Sequence, residues 1–353
     1  MKEKHLYYLA GVFVFLLIIF FVTKPRHTTV NLDEFVQTVV FGVSKEDVKG
    51  IEIYKESTED NPIRMVLRKN EDQWNLVTKF NCKAKESSIN RLLENLLEMT
   101  GKVRSSDPKH FDKYVIADEQ GIHMILKDEA DKPLANLIFG KKGEDGQSGF
   151  VRFAGKEKVY FTDKNILSNL GIYGDIDTLT IIKDNSFVDL QAVSQDKDKL
   201  DIVALVHNGK KMIIKKIEKE IEVEEDSITT TKKEEVWVLL KGQKEVELEK
   251  AEVDKFLNDV TKIRAQKVID RIGNTFADMN KGSRYGFNRM SNAVIFKEKG
   301  SDQQQNVVMG KEYEKDKGYF MNVQYDALVY QVSKSIYDKI FKWADELPKK
   351  VKK

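Results

Sequence analysis

Thiol and imidazole groups are scarce in this sequence, which contains one cysteine, Cys82, and five histidines among 353 residues. A single cysteine excludes an internal disulfide framework, so each domain must be held together by packing. The histidines lie singly, without a His-Glu-x-x-His or other metal-ligand spacing, and one thiolate cannot complete a zinc site. We therefore predict no metal and no cofactor, and we expect Cys82 to serve as a small buried apolar residue.

The sequence also lacks a dominant sign of charge. Lys and Arg total 59 against 57 Asp and Glu, for a net charge of +2. A protein that binds nucleic acid usually presents a strongly basic face, so this balance argues against nucleic acid as a partner. Acidic substrates are not indicated either.

Motifs of catalysis are missing as well. There is no Gly-x-Ser-x-Gly elbow for a serine nucleophile. The glycine-rich stretch from Gly140 to Gly149 lacks the Gly-Lys-Ser/Thr ending that a phosphate-binding loop requires, so we predict a hairpin connection there. We assign no catalytic, cofactor-binding or metal-binding residue and predict that the protein is not an enzyme.

One long hydrophobic run is present, from Leu6 to Val22, without a charged residue. As a helix it would be about 25 Å long, close to the hydrocarbon thickness of a bilayer. A cleaved signal peptide is the alternative, but the run exceeds the usual hydrophobic region and no small-x-small cleavage pattern follows. We predict a single-pass anchor that contacts membrane lipid. The short basic tail before it is expected to stay on the cytoplasmic side, which places most of the chain on the extracytoplasmic side of the inner membrane.

The remainder of the chain contains an apparent internal repeat, in which unlike markers recur in the same order. The tryptophans Trp74 and Trp237 are 163 residues apart, and the tyrosines Tyr114 and Tyr285 are 171 apart. A predicted amphipathic helix follows each tryptophan, and its apolar positions superpose without a gap: Ile89 on Val253, Leu92 on Phe256, Leu93 on Leu257 and Leu96 on Val260. Markers that keep their order at a near-constant offset indicate a tandem duplication of one fold unit.

Short alternating strands with few helices predict an α+β fold: an N-terminal transmembrane helix followed by two tandem repeat domains, each an antiparallel sheet plus helix. The predicted boundaries are a cytoplasmic tail 1–5, an anchor 6–22, a tether 23–48, a first repeat 49–175, a junction 176–199, a second repeat 200–347 and a basic tail 348–353.

The segment 212–240 breaks the symmetry of the repeat. It runs out to about residue 223 and back from about residue 234 as a long charged hairpin, where the first repeat has only a short turn. A solvated hairpin and a docking arm both fit this pattern. The candidate partner-contact residues on it are Ile217, Ile221, Val223, Glu224, Lys232 and Lys233.

Trp74 with the apolar helix after it, and Tyr285-Gly286-Phe287, resemble an uncharacterised bacterial envelope family, domain of unknown function 4340. Tyr285-Gly286-Phe287 is similar to the Tyr-Gly-Leu signature of that family. The first copy departs from the signature, with Tyr114-Val115-Ile116 at the corresponding place. The resemblance implies a single-pass protein that assists the permease and ATPase of a gliding-motility-type ABC transporter, and it implies no catalytic residues.

Two functions follow as expectations. The first is an anchored, non-catalytic extracytoplasmic accessory subunit of an ABC-type export or gliding system, which acts by protein contacts. The second is a binding module for a cell-wall glycan or lipid, in which Trp74 and Trp237 would be exposed for stacking rather than buried as core residues.

Overall fold

The computed structural model describes residue 13 and residues 36–56, 63–177, 180, 182–225, 228–272, 283–288, 291–324 and 326–352. Its strands are β1 Gln37–Thr38, β2 Gly50–Lys55, β3 Ile63–Asn70, β4 Gln73–Leu76, β5 Cys82–Lys83, β6 Thr100–Ser105, β7 Ile122–Lys127, β8 Pro133–Lys142, β9 Gly149–Phe153, β10 Val159–Thr162, β11 Gln191–Ser194, β12 Leu200–His207, β13 Lys210–Glu225, β14 Ile228–Lys241, β15 Lys244–Glu247, β16 Lys262–Arg264, β17 Lys267–Arg271, β18 Ala293–Glu298, β19 Gln304–Glu314, β20 Gly318–Val323 and β21 Leu328–Ser333. Its helices are α1 Glu86–Leu97, α2 Phe111–Tyr114, α3 Lys250–Thr261, α4 Lys334–Phe341 and α5 Trp343–Glu346.

Two large antiparallel sheets organise these elements. The first has the order β1-β6-β10-β9-β8-β7-β2-β3-β4-β5, and the second has the order β15-β14-β13-β12-β18-β19-β20-β21-β17. When the second is written from its other edge, it matches the first strand for strand, with β17 in the place of β6. The two sheets therefore share one strand order, and β1 is an addition at the edge of the first.

The two long helices occupy equivalent places because each continues from the same turn. The amide of Ala84 donates to the carbonyl of Trp74 over 2.8 Å before α1 begins. The amide of Leu248 donates to the carbonyl of Trp237 over 2.9 Å before α3 begins. Both helices bury an apolar stripe with the spacing expected for one helical face, formed by Ile89, Leu92, Leu93 and Leu96 in α1 and by Val253, Phe256, Leu257 and Val260 in α3.

The described residues of the junction pair with strands and turns from both halves of the chain. Val188 forms an antiparallel bridge with Ala84, and β11 pairs with β16. Most of the buried apolar residues of both sheets belong to one continuous core, and two smaller clusters, one that includes Tyr114 and one packed against Tyr285, are separate from it. Residues 36–48, part of the predicted tether, contribute β1 and the buried side chains Val39, Val40 and Val48 to the first sheet.

The predicted α+β fold class with an N-terminal transmembrane helix is wrong. Strands make up 46% of the structure and helices 21%, so antiparallel sheet dominates. The longest strands are β13 with 16 residues and β14 with 14, which run to Glu225 and from Ile228, where the sequence predicted that the hairpin goes out only to about residue 223 and comes back from about residue 234.

The predicted anchor, residues 6–22, lies outside the described residues except for Phe13. Within the part of the chain that the structure describes, every helix is too short or too polar to cross a membrane. The longest of them, α1 and α3, have 12 residues. Such a helix is about 18 Å long, against a hydrocarbon core of about 30 Å.

Candidate functional site

The most prominent feature of the surface is a two-stranded ribbon formed by the outer halves of β13 and β14. The two strands stay paired from Ile214 opposite Leu239 to Glu225 opposite Ile228. The neighbouring strand β12 pairs with β13 only as far as Lys215, and β15 pairs with β14 only from Val238. Residues 216–225 and 228–237, which we call the ribbon, therefore extend beyond the sheet by about 34 Å at the usual rise of a strand.

Beyond Trp237, whose carbonyl accepts from the amide of Leu248, both long edges of the ribbon are open within the described chain. Each edge presents main-chain N–H and C=O groups that no other described strand pairs with. Such an edge is a template for strand addition by another polypeptide. The ribbon is also acidic, since its two strands contain four lysines and seven glutamates. A partner with a basic surface would therefore complement it.

Ion pairs fix the base of the ribbon to the second sheet. Glu235 accepts from Lys299 over 3.0 Å and lies 3.4 Å from the ammonium of Lys216. The hydrogen bond from Lys299, together with the charge of Lys216, lowers the pKa of Glu235. Lys219 donates to Glu247 on β15 over 2.7 Å. These contacts set the direction in which the ribbon leaves the sheet.

The structure places all six predicted contact residues on the ribbon. Ile217 and Ile221 are half-buried, whereas Lys232 and Lys233 are exposed. Lys232 lies directly opposite Ile221, and Lys233 forms a 3.8 Å ion pair with Glu218. Val223 and Glu224 pair with Thr230 and Thr229 near the tip.

The two tryptophans that were candidates for sugar stacking differ in exposure. Trp74 is 4% exposed and belongs to the continuous core, as the core interpretation predicted. Trp237 is half-buried, and the ammonium of Lys216 lies 5.5 Å from its ring centroid. Cys82 is buried, as predicted, and burial raises the pKa of its thiol to about 11.

A second concave feature, which the sequence did not point to, lies at the far end of the first sheet. This cleft has a volume of about 1030 Å³. Its walls combine aromatic rings with cationic side chains, and carboxylates lie on the loop between β8 and β9 and beyond β10. The residues that line it are Arg104, Lys113, Tyr114, Val115, Lys141, Lys142, Gly143, Glu144, Asp145, Ser148, Phe150, Phe161 and Asp175.

The glycine-rich stretch contributes a hairpin connection to this cleft, as predicted. Lys142 at the end of β8 pairs with Gly149 at the start of β9. Asp145 organises the turn, since its Oδ1 accepts from the hydroxyl of Ser148 over 2.6 Å and from the amide of Ser148 over 2.9 Å. These hydrogen bonds lower the pKa of Asp145, so its carboxylate is ionised at neutral pH. Main-chain amides of the turn are thereby directed at Asp145.

The protein is β-rich, and its two large sheets share one order of strands and one continuous core. The ribbon that projects from the second sheet gives it a surface suited to binding. The chain belongs to the family described as Domain of unknown function (DUF4340), whose model matches residues 74–281. The match begins at Trp74 in β4, continues through β17 and includes the whole ribbon. No curated protein and no solved structure matches the chain.

Proposed function

We propose that this protein is a non-catalytic accessory subunit of an ABC-type transport complex of the bacterial envelope, of the export or gliding type, and that it acts by protein contacts through the ribbon. The observation that carries the proposal is the ribbon itself, with two open edges and an excess of glutamate. A hairpin that only faces solvent does not require about 34 Å of paired strand beyond its sheet. An arm that docks on a partner requires such a length to reach it.

The transporter context is supported by the resemblance of the sequence to a family expected beside gliding-type ABC transporters. We propose that permease and ATPase subunits are its partners. The absence from the sequence of a serine elbow or a phosphate-binding loop supports a role in contacts rather than in chemistry.

We also infer that the two sheets arose by tandem duplication. Their common strand order supports this, as do matched contacts at equivalent places. Gly140 lies against the carbonyl of Tyr114, and Gly310 lies against the carbonyl of Tyr285 in the same way. Phe150 stacks on Tyr114 with ring centroids 4.4 Å apart, and Phe320 meets Tyr285 edge-on at 4.9 Å. Among the described residues the first sheet has no counterpart of the ribbon, since β2 and β3 pair only from Gly50 opposite Arg68 to Lys55 opposite Ile63, so we assign the partner contact to the second unit.

The test is in-cell crosslinking of the tagged full-length protein in its native host, followed by mass spectrometry, with a variant that shortens the ribbon. Ile217 and Val236 face each other eight residues along each strand from the tip pair of Glu225 and Ile228. They therefore form the same kind of antiparallel pair as Glu225 and Ile228, and an Asn-Gly turn can join them after residues 218–235 are removed.

The wild-type protein is expected to recover transporter subunits, and the shortened variant is expected to lose them while its circular dichroism and expression stay normal. Gly174→Ala is the matched control, because a Cβ at Gly174 meets no atom within 4 Å. Recovery of transporter subunits with the shortened variant would rule out the ribbon as the contact, and recovery of none with the wild type would rule out the accessory function.

A second candidate function is a binding module for a cell-wall glycan. The tryptophans do not favour it, because Trp74 is buried and Trp237 is covered by Lys216. The cleft beside Tyr114 does favour it, since aromatic walls with a few charged groups are the usual lining of small-molecule sites.

A further inference from the structure

The two open edges of the ribbon differ in the residues whose main chain faces outward. In an antiparallel pair, successive residues turn their N–H and C=O groups alternately toward the neighbouring strand and away from it. On β14 the carbonyl of Trp237 faces outward, because it accepts from the amide of Leu248 outside the ribbon. Lys216 lies directly opposite Trp237, so the main chain of Lys216 faces outward on β13 as well.

The hairpin between β12 and β13 agrees with this assignment. His207 and Lys210 enclose a two-residue turn, so their main chains face each other. Lys210 and Lys216 lie an even number of residues apart on β13, and therefore Lys216 faces the side on which β12 lies. The strand β12 has ended at that height, which leaves the outward main-chain groups of the ribbon without a described neighbour on this side.

Every outward position of the ribbon on β13 after Lys216 is a glutamate. These positions are Glu218, Glu220, Glu222 and Glu224. The outward positions on β14 are Thr229, Thr231, Lys233 and Glu235. Like charges directly opposite each other destabilise a strand pair, so the β13 edge disfavours an acidic strand and favours a basic one. The mixed β14 edge makes no such distinction, and lysine at an open edge discourages strand addition.

The two outward glutamates nearest the sheet are available to a partner. Glu218 and Glu220 are exposed. Glu220 forms no ion pair within the part of the chain that the structure describes. Glu218 lies 3.8 Å from the ammonium groups of Lys233 and Lys299, which is longer than a hydrogen bond. Both carboxylates can therefore accept from a cation of an added strand.

The residues between these glutamates turn their main chain toward β14, and their side chains lie on the opposite face of the ribbon. Two of them, Ile217 and Ile221, are apolar and half-buried. Lys219 lies between them and donates to Glu247 on β15 over 2.7 Å. A strand added at the β13 edge thus meets carboxylates on one face and isoleucine side chains on the other.

We propose that the β13 edge of the ribbon binds an extended segment of its partner as an additional antiparallel strand, with Lys or Arg at every second residue and apolar residues between them. This inference rests on the proposed docking function of the ribbon and specifies the partner segment. Each basic residue pairs with one outward glutamate, and each residue between lies on the face of Ile217 and Ile221. Main-chain hydrogen bonds provide affinity, and the alternation provides specificity.

The test is fluorescence anisotropy of labelled peptides with the purified full-length chain. The peptide Lys-Val-Lys-Val-Lys-Val-Lys is expected to bind at least about tenfold more tightly than Lys-Lys-Lys-Lys-Val-Val-Val, which has the same composition and charge without the alternation. The acidic peptide Glu-Val-Glu-Val-Glu-Val-Glu is expected not to bind.

N-methylation of the alternating peptide separates strand addition from attraction between charges. The lysines pair with outward glutamates, so their N–H groups face the ribbon, whereas the N–H groups of the valines face away. Methylation of the lysine nitrogens is expected to abolish binding, and methylation of the valine nitrogens is expected to preserve it, although both peptides have the same charge.

Glu220→Lys is expected to weaken binding of the alternating peptide about tenfold or more, because it places a like charge opposite a lysine. Glu119→Lys, at an exposed carboxylate of the first sheet, changes the net charge equally and is expected to leave binding unchanged. The proposal is overturned if the alternating peptide fails to bind, if the block peptide binds as tightly, or if the two methylated peptides bind alike. Any of these results refutes strand addition even where crosslinking in the host recovers transporter subunits. Peptide binding as expected without such recovery refutes the accessory function alone.

Discussion

Arg271 donates a hydrogen bond from Nε to the main-chain carbonyl oxygen of Phe80 over 2.7 Å, although the two residues belong to different sheets. Its Nη2 also donates to the carbonyl of Asn81 over 3.1 Å. Phe80 and Asn81 both have positive φ angles, so the turn that presents these carbonyls is itself tightly constrained. Arg271 of the second sheet thus fixes this turn of the first sheet through two hydrogen bonds.

Arg271→Ala is expected to lower the free energy of unfolding by about 0.5–1.5 kcal/mol, because it removes hydrogen bonds to two exposed carbonyls that water can replace. Urea denaturation followed by circular dichroism measures the effect. The continuous core predicts that wild type and variant both unfold in one transition. Two separated transitions in the wild type would contradict a core shared by both sheets.

Gly140→Ala is expected to destabilise the protein by about 1–3 kcal/mol, since a Cβ there would collide with the carbonyl oxygen of Tyr114. Gly310→Ala is expected to cost a similar amount through the carbonyl of Tyr285. Thermal unfolding measures both. Gly174→Ala, which meets no atom, should change stability by less than about 0.5 kcal/mol. A tolerated alanine at Gly140 would show that the close approach to Tyr114 is not required.

Glu52 predicts a specific acid sensitivity. Its carboxylate is buried among apolar strands, which raises its pKa, but Lys127 at 2.8 Å and Arg64 outweigh burial and bring the pKa below its ordinary value of 4.5. The folded state therefore binds this proton less readily than the unfolded state. The stabilisation is present above pH 4.5 and is lost as the pH falls through the folded-state pKa.

Glu52→Gln is accordingly expected to cost about 1–3 kcal/mol at pH 7, the range for hydrogen bonds to charged groups. The gap between wild type and variant should narrow below pH 4.5, as measured by urea denaturation from pH 3 to pH 7. Glu119→Gln, an exposed carboxylate, is the control. A gap that stays constant with pH would contradict the ion-pair explanation.

Trp237 is expected to account for most of the accessible tryptophan fluorescence, because Trp74 and Trp343 are 4% and 3% exposed. Trp237→Phe should leave emission that acrylamide quenches only slightly. Trp343→Phe should leave quenching close to that of the wild type. Strong quenching in Trp237→Phe would show that Trp74 is accessible and would restore it as a stacking residue.

The sequence alone predicted the parts of this fold that depend on regular patterns. The apolar stripe of α1 and the burial of Trp74 follow from helical spacing and from a marker in the repeat. The ribbon was visible as a charged hairpin without a counterpart. Strands as short as β5, Cys82–Lys83, contain too few residues for any periodic signal, so the sequence did not predict them.

The cleft could not be predicted, because its walls come from β6, α2, β8, β9 and β10, which only the sheet order brings together. The contact between Tyr285 and Asp270 was equally hidden: the hydroxyl of Tyr285 donates to Oδ2 of Asp270 over 2.7 Å, although the two residues lie 15 apart along the chain. Nothing in the pattern of β17 distinguishes the half-buried Asp270 from the exposed charges of Lys267 and Arg271. The Tyr285-Gly286 pair has a local explanation: Gly286 has a φ of +81°, which glycine adopts without strain, whereas Val115, which follows Tyr114, has a φ of +54°.

The most direct measurement is site-specific photo-crosslinking in the native host, with the reactive residue placed at Glu220 on the ribbon or at Glu119 on the first sheet. Both positions are exposed, so both report on what is nearby. We predict adducts with transporter subunits from position 220 and none from position 119. Adducts from position 119 alone, or from neither position, would contradict a ribbon that docks on a transporter.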